Sequence, residues 1–384
     1  MAGYLLLFCC AFALISLRIP YMNWDMIGYV ASAKAYESHD AAVLQKEVYE
    51  LLKYSVPEDR YTALTTGHFR EIRATDPESL KQHLPFYQIR VVYTGLIALL
   101  WKLGLNPFFA SYLISTVCSA LAIWILAFML PGKPHPIHLL VVPVIAISTG
   151  FIDLARYSTP DALAVLMVYI CYFLLFRRRR LLLLALPASL LIRTDLILLI
   201  PIFYLYLWQI RLFDRRIIAF SALMCISLYV AINSYFGNYG WSTTFDYTLS
   251  NKSTHPADFP HAVTISSYLT ALMSGLRSLA LNSAFLTYTV ITLVSCVSLL
   301  SCLWHTKHTT GRRPQPIDLF FVMFSTLAYI LLHFLLFPVD WVRFFAGQYA
   351  LAMALGMYLL LDAVRSNTGL QPTAKRAGVL SDGG

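Results

Sequence analysis

The chain has 384 residues, of which 58% are hydrophobic and only 13% charged. Soluble domains carry about 25% charged residues, so the polar residues here are too few to cover a water-facing globule, and a soluble protein is excluded. The formal net charge of +9 does not indicate nucleic acid: the basic residues gather in short loops between apolar runs, where they orient helices in a bilayer, and no basic groove interleaved with aromatic residues occurs. Cys9, Cys10, Cys118, Cys171, Cys225, Cys296 and Cys302 lie in or beside apolar stretches without a CxxC pair. They are expected as core-filling residues, neither disulfides nor metal ligands.

Residues 3–17 are almost wholly apolar and end at Arg18. No basic segment precedes them and no small-residue cleavage site follows, so they predict an uncleaved first transmembrane helix. Residues 20–88 form the longest polar stretch, and apolar residues at Ile27, Val30, Ala31 and Ala35 predict amphipathic helices on the membrane surface. Apolar runs then follow at 89–103, 108–130, 137–147, 158–176, 181–210, 217–236, 281–303, 319–337 and 345–361. The predicted fold is all-α, a polytopic transmembrane protein of about 10–11 membrane helices. It forms a single unit over 1–365 with an external loop at 20–88, followed by a disordered cytoplasmic tail at 366–384.

The basic runs 177–180, 211–216 and 307–313 are expected on the cytoplasmic side. That makes 181–210 a hairpin whose tip carries Arg193 and Asp195. It also leaves a parity conflict, which is removed if the short 137–147 segment is re-entrant and fails to cross. Asn251-Lys252-Ser253 matches the N-glycosylation pattern.

Charged residues within spans are costly and mark function. Asp25, Arg90, Asp153, Arg156, Asp161, Arg193, Asp195, Asp340 and Arg343 are all assigned to the outer side by this topology. One shared cavity accounts for them, and its arginines suit a phosphate. Local readings stand beside this one. Arg156 can pair with Asp153 or Asp161, Arg193 with Asp195, and Arg343 can reach lipid headgroups. Trp24 can be an interface anchor, and Asp25 can cap the helix beginning at Met26.

Asn23-Trp24-Asp25-Met26-Ile27-Gly28-Tyr29, His83-Leu84-Pro85-Phe86-Tyr87, Arg156-Tyr157-Ser158-Thr159-Pro160-Asp161 and Ile192-Arg193-Thr194-Asp195 occur in an order that resembles the glycosyltransferase C superfamily. The likeness is to its protein O-mannosyltransferase and aminoarabinose transferase group. It covers residues 1–210, with 211–365 as variable helices. Many relatives carry two adjacent acidic residues where this chain has only Asp25, and their arginine before the third span is replaced by Pro107-Phe108-Phe109.

The resemblance implies transfer of a sugar from a polyprenyl-phosphate donor to a lipid, glycan or protein acceptor, with no cofactor. Asp25 is the expected general base. Arg193 and Arg343, with Arg90 and Arg156 behind them, are the expected phosphate ligands. Trp24, Tyr29, His83, Tyr87, Asp161, Asp195 and Asp340 are expected to line the substrate site, and Tyr235, Tyr239, Trp241 and Tyr247 to close over the sugar. The expected location is a bacterial inner membrane with the site facing the periplasm. A transporter or lipid flippase using the same charges, or a catalytically degenerate family member, is the alternative.

Overall fold

A computed structural model describes residues 2–130, 135–250, 252–258, 262–282, 286–295, 297 and 316–367. Among them the chain is all-α. The basic run 307–313, Asn251 and the tail beyond 367 lie outside the described residues. Helix is what an apolar chain must form in lipid, because each backbone N–H and C=O has to be satisfied within its own segment.

Helices α9 (Pro107–Phe128), α15 (Arg215–Tyr235), α19 (Pro316–Leu336) and α20 (Val342–Asn367) are each long and apolar enough to cross a membrane. Shorter apolar helices lie beside them, including α1 (Ala2–Arg18), α10 (Pro136–Ser148) and α12 (Asp161–Phe176). The chain is thus a polytopic helical protein. The expected hairpin is present: α13 (Leu182–Leu190) leads to the break at Arg193, a 3-10 turn follows over Thr194–Leu198, and α14 (Ile200–Ile210) returns.

The polar stretch folds into six short helices: α2 (Asp25–Lys34), α3 (Ala41–Ser55), α4 (Glu58–Thr65), α5 (His68–Thr75), α6 (Pro77–His83) and α7 (Pro85–Gln88). Local signals start several of them. Asp40 accepts from the N–H groups of Ala42 and Val43, and Asp76 accepts from that of Glu78 with Pro77 in the first turn. Helix α3 has the expected single buried face of Leu44, Val48, Tyr49 and Leu52. Helix α2 departs from expectation: every residue from Met26 to Ala33 is buried, because α3, α8 (Val91–Lys102) and α9 pack around it. It is an interior helix of the polar layer, and does not lie on a surface.

Helix α8 starts beside the hairpin tip, where the Val92 N–H donates to the Leu191 carbonyl at 2.9 Å. Its other end stays among the polar-layer helices. Lys34 Nζ lies 5.1 Å from the Trp101 ring, and Asn106 Nδ2 donates to Ser55 Oγ at 2.7 Å. The 89–103 run is bent by 113° from the helix pair that precedes it, the geometry of a broken span or of a re-entrant loop.

Segment 137–147 forms α10, a helix of 13 residues. Helices α9 and α12 pack on one another and are bridged where Ser115 Oγ donates to the Thr159 carbonyl. Helix α10 packs on α9 and returns to the Asp25 end, where Gly150 meets Val342. A run of apolar residues cannot by itself separate a crossing from a helix folded under a polar layer. Lys34 and Ser55, which hold the far end of α8, lie in other segments.

Close helix contact fixes the remaining frame. Gly347 of α20 packs directly on Val165 of α12, and the Tyr169 hydroxyl donates to the Gly347 carbonyl at 2.6 Å. Small residues permit such approach between membrane helices. Of the five described cysteines, four are buried and Cys10 is exposed.

The topology yields a labelling prediction. In a cysteine-free background, Lys102→Cys and Ser38→Cys should react with a membrane-impermeant thiol reagent from the same side, and Arg179→Cys only from the other. Reaction of Lys102→Cys on the Arg179 side would restore 89–103 as a span.

Candidate active site

Five charged side chains form one unbroken chain at the Asp25 end. Arg343 Nη1 lies 3.1 Å from Asp25 Oδ2, and its Nε lies 3.7 Å from Asp161 Oδ2. Arg193 Nη1 bonds Asp161 on one side, while its Nε and Nη2 donate to both Asp195 oxygens at 2.8 and 2.6 Å. His333 Nε2 and the Tyr329 hydroxyl complete the far end, 3.3 and 3.4 Å from Asp195 Oδ2. Asp25, Asp161, Arg193, Asp195 and Arg343 thus converge as expected, although residues up to 318 positions apart supply them.

The chain is graded in exposure. Exposure is lowest at the middle, where the Asp161 and Arg193 side chains are 5% and 9% exposed, and rises to 23% at Asp195 on one side and through 17% at Arg343 to 30% at Asp25 on the other. Arg193 is saturated by two carboxylates, so it acts as a structural tie and has no spare face for a phosphate. Asp25 is the reachable end. Its expected capping role is not observed: Trp24 occupies the cap position and no side-chain bond closes the helix. The carboxylate instead accepts from Asn23 Nδ2 at 3.2 Å, Arg343 at 3.1 Å and the Tyr87 hydroxyl at 3.5 Å. Asn23 is fixed in turn by the Ser158 N–H at 2.9 Å.

Gly28, one turn beyond Asp25, sets the position of Tyr87. A methyl group there would overlap the Tyr87 ring, so only glycine lets the ring lie against α2 with its hydroxyl toward Asp25. Tyr29 sits edge-on between Tyr87 and Tyr93, with both ring centroids 4.9 Å away. Trp24, His83, Phe86 and Tyr247 gather around Phe69 in an aromatic cluster. Burial, assisted by the Arg73 charge, pushes the His83 imidazole down to about 3. It is therefore neutral, with Nδ1 on the Ser79 carbonyl at 2.6 Å and Nε2 unpartnered.

Arg73 is the residue that sequence reasoning missed. It is 0% exposed, and among the described residues none of its three guanidinium nitrogens meets hydrogen-bond geometry, although the Tyr87 hydroxyl lies close enough to interact with it. It lies 4.4 Å over Trp24 and 5.4 Å over Tyr87. The phenols of Tyr49, Tyr87 and Tyr247 surround it and supply no full negative charge at neutral pH. Cation–π contact offsets about 2 kcal/mol for a desolvated cation, well short of the cost of burying a lone charge. In the sequence it is one more cation in a charged stretch, and no signal separates it. His333 could have been found, since it interrupts Leu331-Leu332-His333-Phe334 in an apolar run as Arg193 interrupts its own.

Other expected residues lie outside the network. Arg156 donates to the Ile19 carbonyl and pairs with Asp153 at 3.8 Å, tying α11 (Phe151–Arg156) to the end of α1. Asp340 accepts from Ser278 and Asn282, each at 3.0 Å, and holds α17 (Ile265–Leu281). Arg90 bonds the Phe86 carbonyl within its own turn. Tyr239 donates to the Gln82 carbonyl and Trp241 to that of Leu336, while Tyr235 is 82% exposed. Of the four loop aromatics expected to close over a sugar, Tyr239 and Tyr247 reach the aromatic cluster.

Comparison of the chain with family models, with curated proteins and with solved structures finds no match.

The network predicts unequal costs. Arg193→Met leaves two carboxylates facing each other in an apolar interior and should cost about 3–5 kcal/mol, the range for breaking a buried pair. Arg343→Met should cost less, because Asp25 can hydrate. Thermal unfolding in detergent measures both, and equal losses would refute the graded network.

Proposed function

We propose that the protein is a membrane glycosyltransferase that moves a sugar from a polyprenyl-phosphate donor to an acceptor hydroxyl or amine. One juxtaposition carries this reading. A solvent-reachable carboxylate, Asp25, and an uncompensated buried cation, Arg73, meet the same tyrosine, Tyr87. The first is suited to taking a proton, the second to taking an anion. The basic runs 177–180 and 211–216 lie at the other end of the bundle, and the positive-inside rule then supports an outer-side position for Asp25.

In the proposed step the acceptor O–H or N–H loses its proton to Asp25 as its heteroatom bonds the anomeric carbon. The bond from that carbon to the phosphate oxygen breaks, and the polyprenyl phosphate leaves with the electron pair. Positioned cations stabilise the charge gained by the leaving group. Arg343 lies next to Asp25, but its charge is already shared with two carboxylates. Arg73 has no such partner, so it takes the principal phosphate role that Arg193 and Arg343 were expected to fill. Because Arg73 is closed off, donor binding requires the aromatic cover of Phe69, Phe86 and Tyr247 to move.

Purified protein incubated with labelled polyprenyl-phosphate sugars and a membrane extract tests the reading. Asp25→Asn should lower transfer by about 10²–10⁴-fold, the usual contribution of a general base, with donor binding retained. Arg73→Gln should weaken donor binding. Unchanged transfer in Asp25→Asn would sink the mechanism, and lipid translocation without transfer would replace the enzyme with a flippase.

A further inference from the structure

At the end of the bundle opposite Asp25, a cavity of about 770 Å³ lies between α13 and α15. Three arginines line it: Arg178, Arg180 and Arg211. Its apolar wall includes Leu184, Ile217 and Phe220, which are 59%, 47% and 65% exposed. We propose that this cavity binds an anionic phospholipid, with the headgroup phosphate on the arginines and an acyl chain along the apolar wall. The proposal rests on no part of the transferase reading.

Charge bookkeeping supports it. Arg178 is neutralised by buried Asp318, which also accepts from the Tyr206 hydroxyl. Asp214 lines the cavity too, and its carboxylate caps α15 at the Arg216 N–H. Arg180 and Arg211 are in no ion pair among the described residues. Arg180 and Arg211 thus line a cavity with Asp214 as the remaining carboxylate, so its lining keeps an excess of positive charge. Basic pockets between membrane helices on the cytoplasmic side are suited to acidic headgroups. The volume falls within the range of about 300–1,000 Å³ usual for small-ligand sites.

The backbone supplies a second observation. Arg178 and Arg211 are the two non-glycine residues with positive φ among the described residues, at 52° and 51°. Each follows a helix C-terminus, where glycine or asparagine normally takes the left-handed conformation without strain. A cation near a helix C-terminus is favourable, but a residue in the last turn would supply that without the strained backbone. Arg178 uses its position to pair with Asp318, whereas Arg211 has no ion pair among the described residues and lines this cavity. Helix α15 leaves the site open to lipid, since only 22% of its apolar window is buried against 56% for α9, α19 and α20.

The test uses the full-length protein and native mass spectrometry with dioleoyl phosphatidylglycerol, phosphatidylcholine or inorganic phosphate. Phosphatidylglycerol should be retained preferentially, and phosphate alone should not. Arg180→Gln and Arg211→Gly should each lower that retention about fivefold, the factor equivalent to the contribution of one surface arginine. Arg211→Gly also relieves the left-handed backbone, so a folding defect does not mimic the loss. Arg179→Gln and Arg216→Gln, outside the cavity, should change little. An equal fall in all four variants would reduce the effect to diffuse surface charge and overturn the site. Equal retention of phosphatidylcholine, or capture of phosphate without lipid, would overturn it as well.

Discussion

Arg193 held between Asp161 and Asp195 is the contact on which the Asp25 end of the molecule depends. A guanidinium inside an apolar bundle is tolerated only when it is fully paired. Here the pairing requires three segments to meet. Asp161 opens α12, Arg193 and Asp195 break the 181–210 hairpin, and His333 of α19 closes behind Asp195. The hairpin break is itself the means of aiming the arginine: Arg193 is extended, at φ −148° and ψ 121°, between a helix and a 3-10 turn. A continuous helix would aim the two side chains, two positions apart, at different faces.

From that tie the charge pattern runs outward through Arg343 to Asp25, and exposure rises with it. The inner pair gives rigidity, whereas the outer carboxylate keeps access to water and to a substrate. Arg343 is also flanked by the rings of Trp341, Phe344 and Tyr157 at 4.9, 5.2 and 5.4 Å. A planar cation stacked in this way keeps its direction even though one partner is partly solvated. The polar layer adds an element of opposite character. Arg73 is sealed under aromatic rings with no counter-ion, an arrangement whose cost an incoming anion would relieve.

The two ends of the bundle divide the arginines by use. At the Asp25 end they face carboxylates and aromatic rings, inside the protein. At the other end Arg180 and Arg211 face a cavity beside a helix that leaves most of its circumference to lipid. A single rule about charge at membrane boundaries locates both groups and separates neither, because pairing depends on what packs opposite each side chain.

Apolar run lengths were enough to determine an all-α membrane protein, the hairpin broken at Arg193, and the gathering of scattered charges at one end. Each follows from the cost of leaving polar groups in lipid, a cost written in single residues and their neighbours. Three things were decided only in tertiary structure. The 89–103 run is bent sharply from the helices before it, and Lys34 and Ser55 hold its far end among the polar-layer helices. Asp25 binds Arg343 in preference to capping its own helix. Arg73, one cation among many along the chain, is buried in no ion pair among the described residues, while nearby Asp76 caps its own helix and binds His255. Hydropathy is local and survives in the order of residues, whereas the partner of a charge is set by segments that meet only after folding.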